Sequence, residues 1–522
     1  MLLRPPRRRA RQPAAELNDL PRPPTRHILT GPGEHNAPPP AGPKQERSSL
    51  PRLAGNAASI LSSDVLNRAT TFALYALVAR YLGTFEFGQL SLALTLFYIF
   101  QVLATAGLKT LVTREVAKDR ANTGRYLFNG SVVAAAASLL SILILLVFVR
   151  LMKYSSETTS IILLLSIGLL PSALSAICES IFQAWERMHY IVCANLPVNV
   201  AKIILTFVLL TRGYGLNYTV IILMCSFIFV LCIEWIIIYI SIRNLILKME
   251  PRFLLELVRS ASTFLGIDIF VAVFSSIYIV LLSKMTSETE VGLFSAVAQL
   301  LTPVMLVMQS IAVSVFPVMC RRFSNNPQNL QKITEYFITF FFSFVLPISI
   351  ILYSISDYLI LILYGNREFL HGSELLRIVV WSLIPAALTS VLGYELMASQ
   401  HERIILSLIV IYSLVNLLIG IILIHYFGVV GAVVTALVDK IISFLGHLVP
   451  VSRLLHRVAL GRLLWKPALA GICMASYLAF MAGHNVVLNV VGAGALYAGA
   501  LLTMVVWAMG GPAQVKARYL RP

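Results

Sequence analysis

The chain has 522 residues, 58% of them hydrophobic and only 12% charged, about half the charged share of an average soluble domain. That balance excludes a soluble globular enzyme and describes a protein that crosses a membrane many times. The formal charge of +17 does not call for nucleic acid, because Lys and Arg gather on the cytoplasmic side of membrane proteins.

In chain order, residues 1–52 carry RPPRRRARQP, PRPPTRH and NAPPPAGP. Pro and Arg without apolar periodicity predict a disordered basic cytoplasmic tail. No apolar core follows the arginines within reach, so this is not a signal peptide. It either meets anionic headgroups or is a solvated extension. From Leu53 the chain is a series of apolar runs long enough for the roughly 30 Å hydrocarbon layer. The predicted spans are 56–80, 88–108, 127–149, 160–184, 191–211, 217–241, 257–282, 291–319, 334–356, 375–398, 404–425, 428–450, 467–483 and 486–509. The fold class is therefore an all-α polytopic membrane protein of about fourteen helices. Its expected organisation is an N-terminal six-helix bundle (53–245), a C-terminal six-helix bundle (246–452), two further helices (453–510) and a cytoplasmic tail (511–522).

Orientation follows from the basic residues. With the basic tail inside, the inside connections hold Lys109, Arg114, Lys118, Arg120 and Arg125, then Arg187, then Arg252 and Arg259, with further clusters at 321–332 and 453–466. The opposite side has only Arg80, Arg150, Lys153, Arg212, Lys284 and Arg367. This asymmetry predicts an even number of crossings with both termini cytoplasmic.

The stretch 59–91 recurs 204 residues later: Asp64 falls on Asp268, Glu86 on Glu290, Gly88 on Gly292 and Ser91 on Ser295. Ala184-Trp-Glu-Arg187 likewise matches Gln400-His-Glu-Arg403. Repeats six helices apart keep one membrane orientation, so the pseudo-axis runs along the membrane normal. The chain has no Gly-x4-Gly-Lys-Ser/Thr loop, HExxH or GxSxG. Its six cysteines lie in apolar surroundings without metal or redox spacing. A transporter without cofactor is expected, rather than an enzyme.

ARYLGTFEFGQLSLALTL resembles the ARYLGPEEYGLFSLA signature that follows the first helix of polysaccharide-biosynthesis flippases. GLKTLVTREVAKD, VGLFSAVAQL and HYFGVVGAVVTALV resemble their later stretches, and the likeness runs from about Leu53 to about Ser452. Thr84-Phe85 stands where the family usually has Pro-Glu. The resemblance is to the O-antigen and polysaccharide flippase branch of the multidrug/oligosaccharidyl-lipid/polysaccharide (MOP) exporter superfamily. It implies alternating-access transport of undecaprenyl-diphosphate-linked sugars across the bacterial inner membrane. The implied partners are a polyprenyl-diphosphate-linked oligosaccharide, membrane lipid and other polysaccharide-assembly membrane proteins, with no nucleic acid. The family carries no fixed catalytic constellation, so it does not choose site residues.

Charges deep in apolar helices do. Each costs roughly 2.5–3.5 kcal/mol on insertion scales and so faces protein or a watery cavity. Asp64 and Arg68 stand i, i+4 with the acid first, the better order for a pair. Lys202 sits mid-helix with Asn195, Asn199 and Thr206 on its face. This stripe offers a counter-charge for phosphate and amides for hydroxyls; packing between helices is the alternative. Asp64, Arg68, Asn195, Asn199 and Lys202 are thus the substrate-binding candidates. Glu234, Asp268, Glu395 and Asp439 are candidates for H⁺ or Na⁺ coupling. Asp439 and Lys440 lie about 100° apart on a helix, which predicts partners on other helices. Helices thirteen and fourteen, almost free of charge, offer a groove for a polyprenyl tail. Two competing readings are a cation-coupled multidrug antiporter of the same superfamily and, disfavoured by the short loops, a membrane polysaccharide polymerase or ligase.

Overall fold

The computed structural model describes residues 49–242, 248–325, 327–481 and 485–508, with side chains from 69 onward except at 263, 267, 322–329, 505 and 507–508. Among these residues every regular element is helical. The first half holds α1 (Ser49–Thr105), α2 (Leu108–Lys118), α3 (Thr123–Met152), α4 (Ser156–Ser166), α5 (Leu169–Ala184), α6 (His189–Thr211) and α7 (Leu216–Ser241). The second half holds α8 (Pro251–Met285), α9 (Glu288–Asn325), α10 (Pro327–Ser354), α11 (Ser356–Tyr364), α12 (His371–Val379), α13 (Leu383–Ala398) and α14 (Glu402–Pro450). Then come α15 (Leu460–Phe480) and α16 (Val486–Ala508).

Among the described residues twelve helical stretches are long and apolar enough to cross a membrane. Two of them reverse direction at a glycine, which is why the sequence reading counts about fourteen. In α14 the turn is at Gly428, φ 57°. Around it Asn416 bonds to Asp439, and the Tyr412 and His447 ring centroids are 6.0 Å apart. Gly431 is confined too, because a Cβ there would collide with the Leu423 carbonyl. In α1 the turn is at Gly83, φ 86°. The rings of Tyr75 and Phe87 lie 5.3 Å apart, whereas twelve residues of straight helix would separate them by about 18 Å. Positive φ at both turns is the backbone state that glycine enters without steric cost.

Two spans expected to be single helices are broken, and for the same reason. Pro171 in α5 cannot donate to the carbonyl of Ile167, and the chain leaves the α-helix between α4 and α5. Pro385 in α13 likewise leaves Trp381 without its donor, and Val380–Ser382 forms a 3₁₀ turn between α12 and α13. The two breaks occupy corresponding places in the two halves. One helix the apolar-length criterion passes over is α2, whose Leu108, Leu111, Val112 and Val116 are buried at amphipathic spacing.

Packing is unequal along the bundle. At the end carrying Gly83 and Gly428, here the turn end, one apolar cluster joins both halves. Leu74, Phe87, Leu90 and Val149 of the first half belong to it with Val291, Phe294, Tyr364 and Leu376 of the second. At the opposite, basic end the first half has its own cluster, including Leu108, Val112, Ile177 and Phe182, with the start of α8 added through Phe253, Leu257 and Ala261. A third, small cluster docks α15 and α16 on α10 through Leu346, Ile350, Met474 and Tyr497. The Tyr497 hydroxyl donates to the Ser343 carbonyl at 2.9 Å.

Candidate functional site

The two halves meet at the turn end through a contact between their own repeats. A Cβ on Gly88 would fall on the Glu288 carbonyl, and a Cβ on Gly292 would fall on the Thr84 carbonyl. Thr84 and Gly88 correspond to Glu288 and Gly292 by the same 204-residue offset. The backbones of α1 and α9 therefore cross in self-complementary fashion, at a separation only glycine permits.

Polar bonds between the halves flank the crossing. The Glu368 carboxylate accepts from the Thr84 N–H at 3.1 Å and from its hydroxyl at 3.2 Å. Glu288 accepts from the Thr158 hydroxyl at 3.1 Å, and Gln89 donates to that hydroxyl at 3.0 Å. Tyr154 and Ser283 hydroxyls lie 3.2 Å apart. Lys284 donates to the Met152 carbonyl with its ammonium 3.8 Å from the Tyr154 ring centroid. Burial pushes the Tyr154 phenol above its ordinary pKa despite its bond to Ser283, so it stays a neutral donor. Together these contacts close the turn end between the halves.

Away from the turn end, Lys202 is half-buried on α6 and donates to the Asn199 Oδ1 at 2.7 Å. Asn195 donates to the Ile191 carbonyl at 3.0 Å. These three share α6 as the spacing predicts. The side chains of Asp64 and Arg68 lie outside the described residues. Among the coupling candidates, Glu234 is buried and accepts from Ser175 at 2.5 Å. Glu395 is buried on α13 and accepts from His456 Nε2 at 2.6 Å. Asp268 is exposed on α8. Asp439 accepts from Asn416 on the facing arm of the α14 hairpin.

Lys440 departs from expectation by bridging its own neighbour Asp439 at 2.8 Å. Its four-carbon stem spans the 100° between them, so among the described residues Asn416 alone supplies the cross-helix partner expected for the pair.

A cavity of about 420 Å³ opens among α1, α5, α6 and α7. Asn195 lines it together with Tyr98, Gln101, Thr105, Ser172 and Ser175, and the Lys109–Glu179 ion pair closes one side at 2.7 Å. Sequence reading placed Lys109 among the loop charges. The signal was present: 98, 101 and 105 on α1 and 172, 175 and 179 on α5 both follow i, i+3, i+7, a polar stripe on an apolar helix. The second half has a cavity of about 450 Å³ at corresponding helices, bordered by Met305, Met308, Gln309, Tyr394, Met397 and Lys440. A third space of about 500 Å³ lies between α1 and α9, and its lining, including Phe72, Pro303, Leu306 and Val307, is almost wholly apolar.

Residues 53–323, just over half of the chain, match the family model described as polysaccharide biosynthesis protein. The chain belongs to this family. A second model, MatE, matches residues 264–422, which agrees with membership of the MOP superfamily. No curated protein matches the sequence. Among solved structures, the fold is similar to a lipid II flippase MurJ in an inward closed conformation, at 17% identity and a TM-score of 0.70, covering 84% of this chain and 97% of that one. It is also similar to a multidrug resistance MATE family transporter of the MOP superfamily in an inward-facing conformation, at 14% identity and 0.61, covering 79% and 96%. A MOP superfamily transporter from Pyrococcus furiosus follows at 13% and 0.53, covering 82% and 96%. The chain thus shares the fold of these transporters.

Two outcomes follow from the geometry. Gly88→Val should separate the lobes at the turn end, so spin labels at Ser156 and Arg367 report a longer distance than in the parent; an unchanged distance would mean the crossing does not hold that end closed. The second concerns His456. Burial alone would lower its pKa, but the Glu395 hydrogen bond and charge outweigh it and hold it above the usual value. Its stabilisation is then complete below about pH 6.5 and lost as pH rises through the folded-state pKa. Melting in detergent should fall as pH is raised from 6 to 9, and His456→Gln should flatten that decline. Parallel curves would rule the pair out as its source.

Proposed function

We propose that this transporter moves a polyprenyl-diphosphate-linked oligosaccharide across the bacterial inner membrane by alternating access. The observation that carries the reading is the pairing of unlike spaces behind the closed turn end. A polar cavity in the first half suits a glycan headgroup. An apolar crevice between α1 and α9 suits a chain that stays in contact with lipid. A substrate with a hydrophilic head and a long apolar tail needs both, and membership of the polysaccharide biosynthesis family supports the same class.

In this reading 53–245 and 246–452 are the rocking bundles, 1–52 and 511–522 are cytoplasmic tails, and the turn end faces the periplasm, in keeping with the distribution of Lys and Arg. Helices 453–510 dock on the second bundle, where they too can offer apolar surface to the tail. Lys202 and Arg68 are the counter-charges for the diphosphate, with Asp64, Asn195 and Asn199 around them. Lys202 bonds only to a neutral amide among the described residues, which leaves its charge to a ligand. Asp268 is the preferred H⁺ or Na⁺ coupling residue, since Glu234, Glu395 and Asp439 are already engaged by Ser175, His456 and Asn416. Drug antiport is the second reading, and the MatE match supports it.

Loss of the protein should cause undecaprenyl-diphosphate glycan to accumulate on the cytoplasmic face, read by lipid extraction and mass spectrometry. Raised drug susceptibility with no such accumulation would favour antiport instead. Lys202→Gln should abolish complementation of the deficient strain while the protein is still made at normal level. Full complementation by that variant would remove Lys202 from the site.

A further inference from the structure

The first-half cavity carries chemistry that a diphosphate site would not use. Lys109 and Glu179 neutralise each other across 2.7 Å, so a phosphate entering here would have to displace a carboxylate. What the cavity does offer is unspent neutral hydrogen-bonding capacity. Among the described residues the Gln101 amide and the Tyr98 hydroxyl have no hydrogen-bond partner. Asn195 spends one N–H on the Ile191 carbonyl and keeps its Oδ1. Glu179 spends Oε2 on Lys109 and keeps Oε1. Such groups in an apolar helix bundle are costly unless water or a ligand meets them.

An aromatic ring lies beside these groups. Tyr98 is 48% exposed and lines the cavity, presenting an apolar face next to donors and acceptors on the adjacent turns. The volume, about 420 Å³, falls within the range of small-molecule sites. The corresponding cavity of the second half differs in kind, with Met305, Met308 and Met397 in its wall and its lysine taken by Asp439.

We propose that the cavity among α1, α5, α6 and α7 is a subsite for one neutral pyranose ring of the transported lipid. Tyr98 packs on the C–H face of the ring, and Gln101, Asn195 and Glu179 take its hydroxyls. This rests on the flippase reading above and deepens it, because it separates recognition of the sugar from recognition of the diphosphate at Lys202.

The test titrates the purified full chain in lipid nanodiscs with undecaprenyl diphosphate, and with the same lipid carrying one hexose or one N-acetylhexosamine. At least one glycosylated lipid should bind about tenfold more tightly than the bare diphosphate. The Tyr98→Ala/Gln101→Ala double variant should bring that lipid down to the bare-lipid affinity and leave bare-lipid binding unchanged. Equal binding of all three lipids by the parent chain, or a preference that survives in the double variant, overturns the subsite and leaves the transported class standing. Loss of bare-lipid binding in the double variant overturns the sugar role as well, by assigning both residues to the diphosphate or to the fold. Failure of the parent chain to bind any of the three overturns the flippase reading itself, and the subsite with it.

Discussion

The crossing of Gly88 and Gly292 is the contact on which the rest of the structure depends. Helices approach as closely as the side chains between them allow, and small residues bring backbones together. Here each glycine meets the carbonyl four residues before the other, so any side chain at either position forces the halves apart. Because the two partners are copies of one repeat, the contact is self-complementary in the manner of a two-fold interface. The largest apolar cluster joins the halves at this end, while at the basic end a second cluster seats the start of α8 on the first half through Phe253, Leu257 and Ala261. The halves thus meet at both ends: at the glycine crossing, and where Gly107 abuts the Ala261 carbonyl and Arg125 pairs with Glu250 at 2.6 Å.

The bonds around the crossing are of a reversible kind. Glu288 and Glu368 reach across to hydroxyls and one backbone N–H, contacts of modest net value that water can replace when the lobes part. Carboxylates deeper in the helices are handled differently. Glu234 and Glu395 are buried; Ser175 holds the first within its own half, and His456, just beyond the second half, holds the other. Removing one partner of such a buried pair would strand the other without solvation.

Much of this was legible in the sequence. Apolar run lengths located the helices, and the 204-residue offset that sets Gly88 on Gly292 pointed to the very residues that cross. That those glycines touch each other was not legible, because a repeat shows equivalence and not contact. The breaks before α5 and α13 were missed because apolar length is blind to Pro171 and Pro385. At the candidate site, Lys202 and Asn199 were brought together as their spacing implied. The cavity that includes Asn195 was only half read: Lys109 and Glu179 come from different helices, and an ion pair formed across α2 and α5 leaves no mark on either strand of sequence alone. Tyr98 and Gln101 did leave one, the i, i+3, i+7 spacing, but as uncharged residues they do not stand out in an apolar helix as a deep charge does.

Transport of a lipid-linked glycan is expected to require the α1–α9 crossing to open and close. This requirement is tested most directly in proteoliposomes containing the chain with its own cysteines replaced and with Thr84→Cys and Glu288→Cys introduced. A glycosylated polyprenyl diphosphate is placed in one leaflet, and its arrival in the other is followed by accessibility to a glycan-binding protein. Transfer should proceed with free cysteines, stop when a short bifunctional reagent joins them, and recover when the link is cleaved. Transfer that continues with the crossing locked would contradict the requirement.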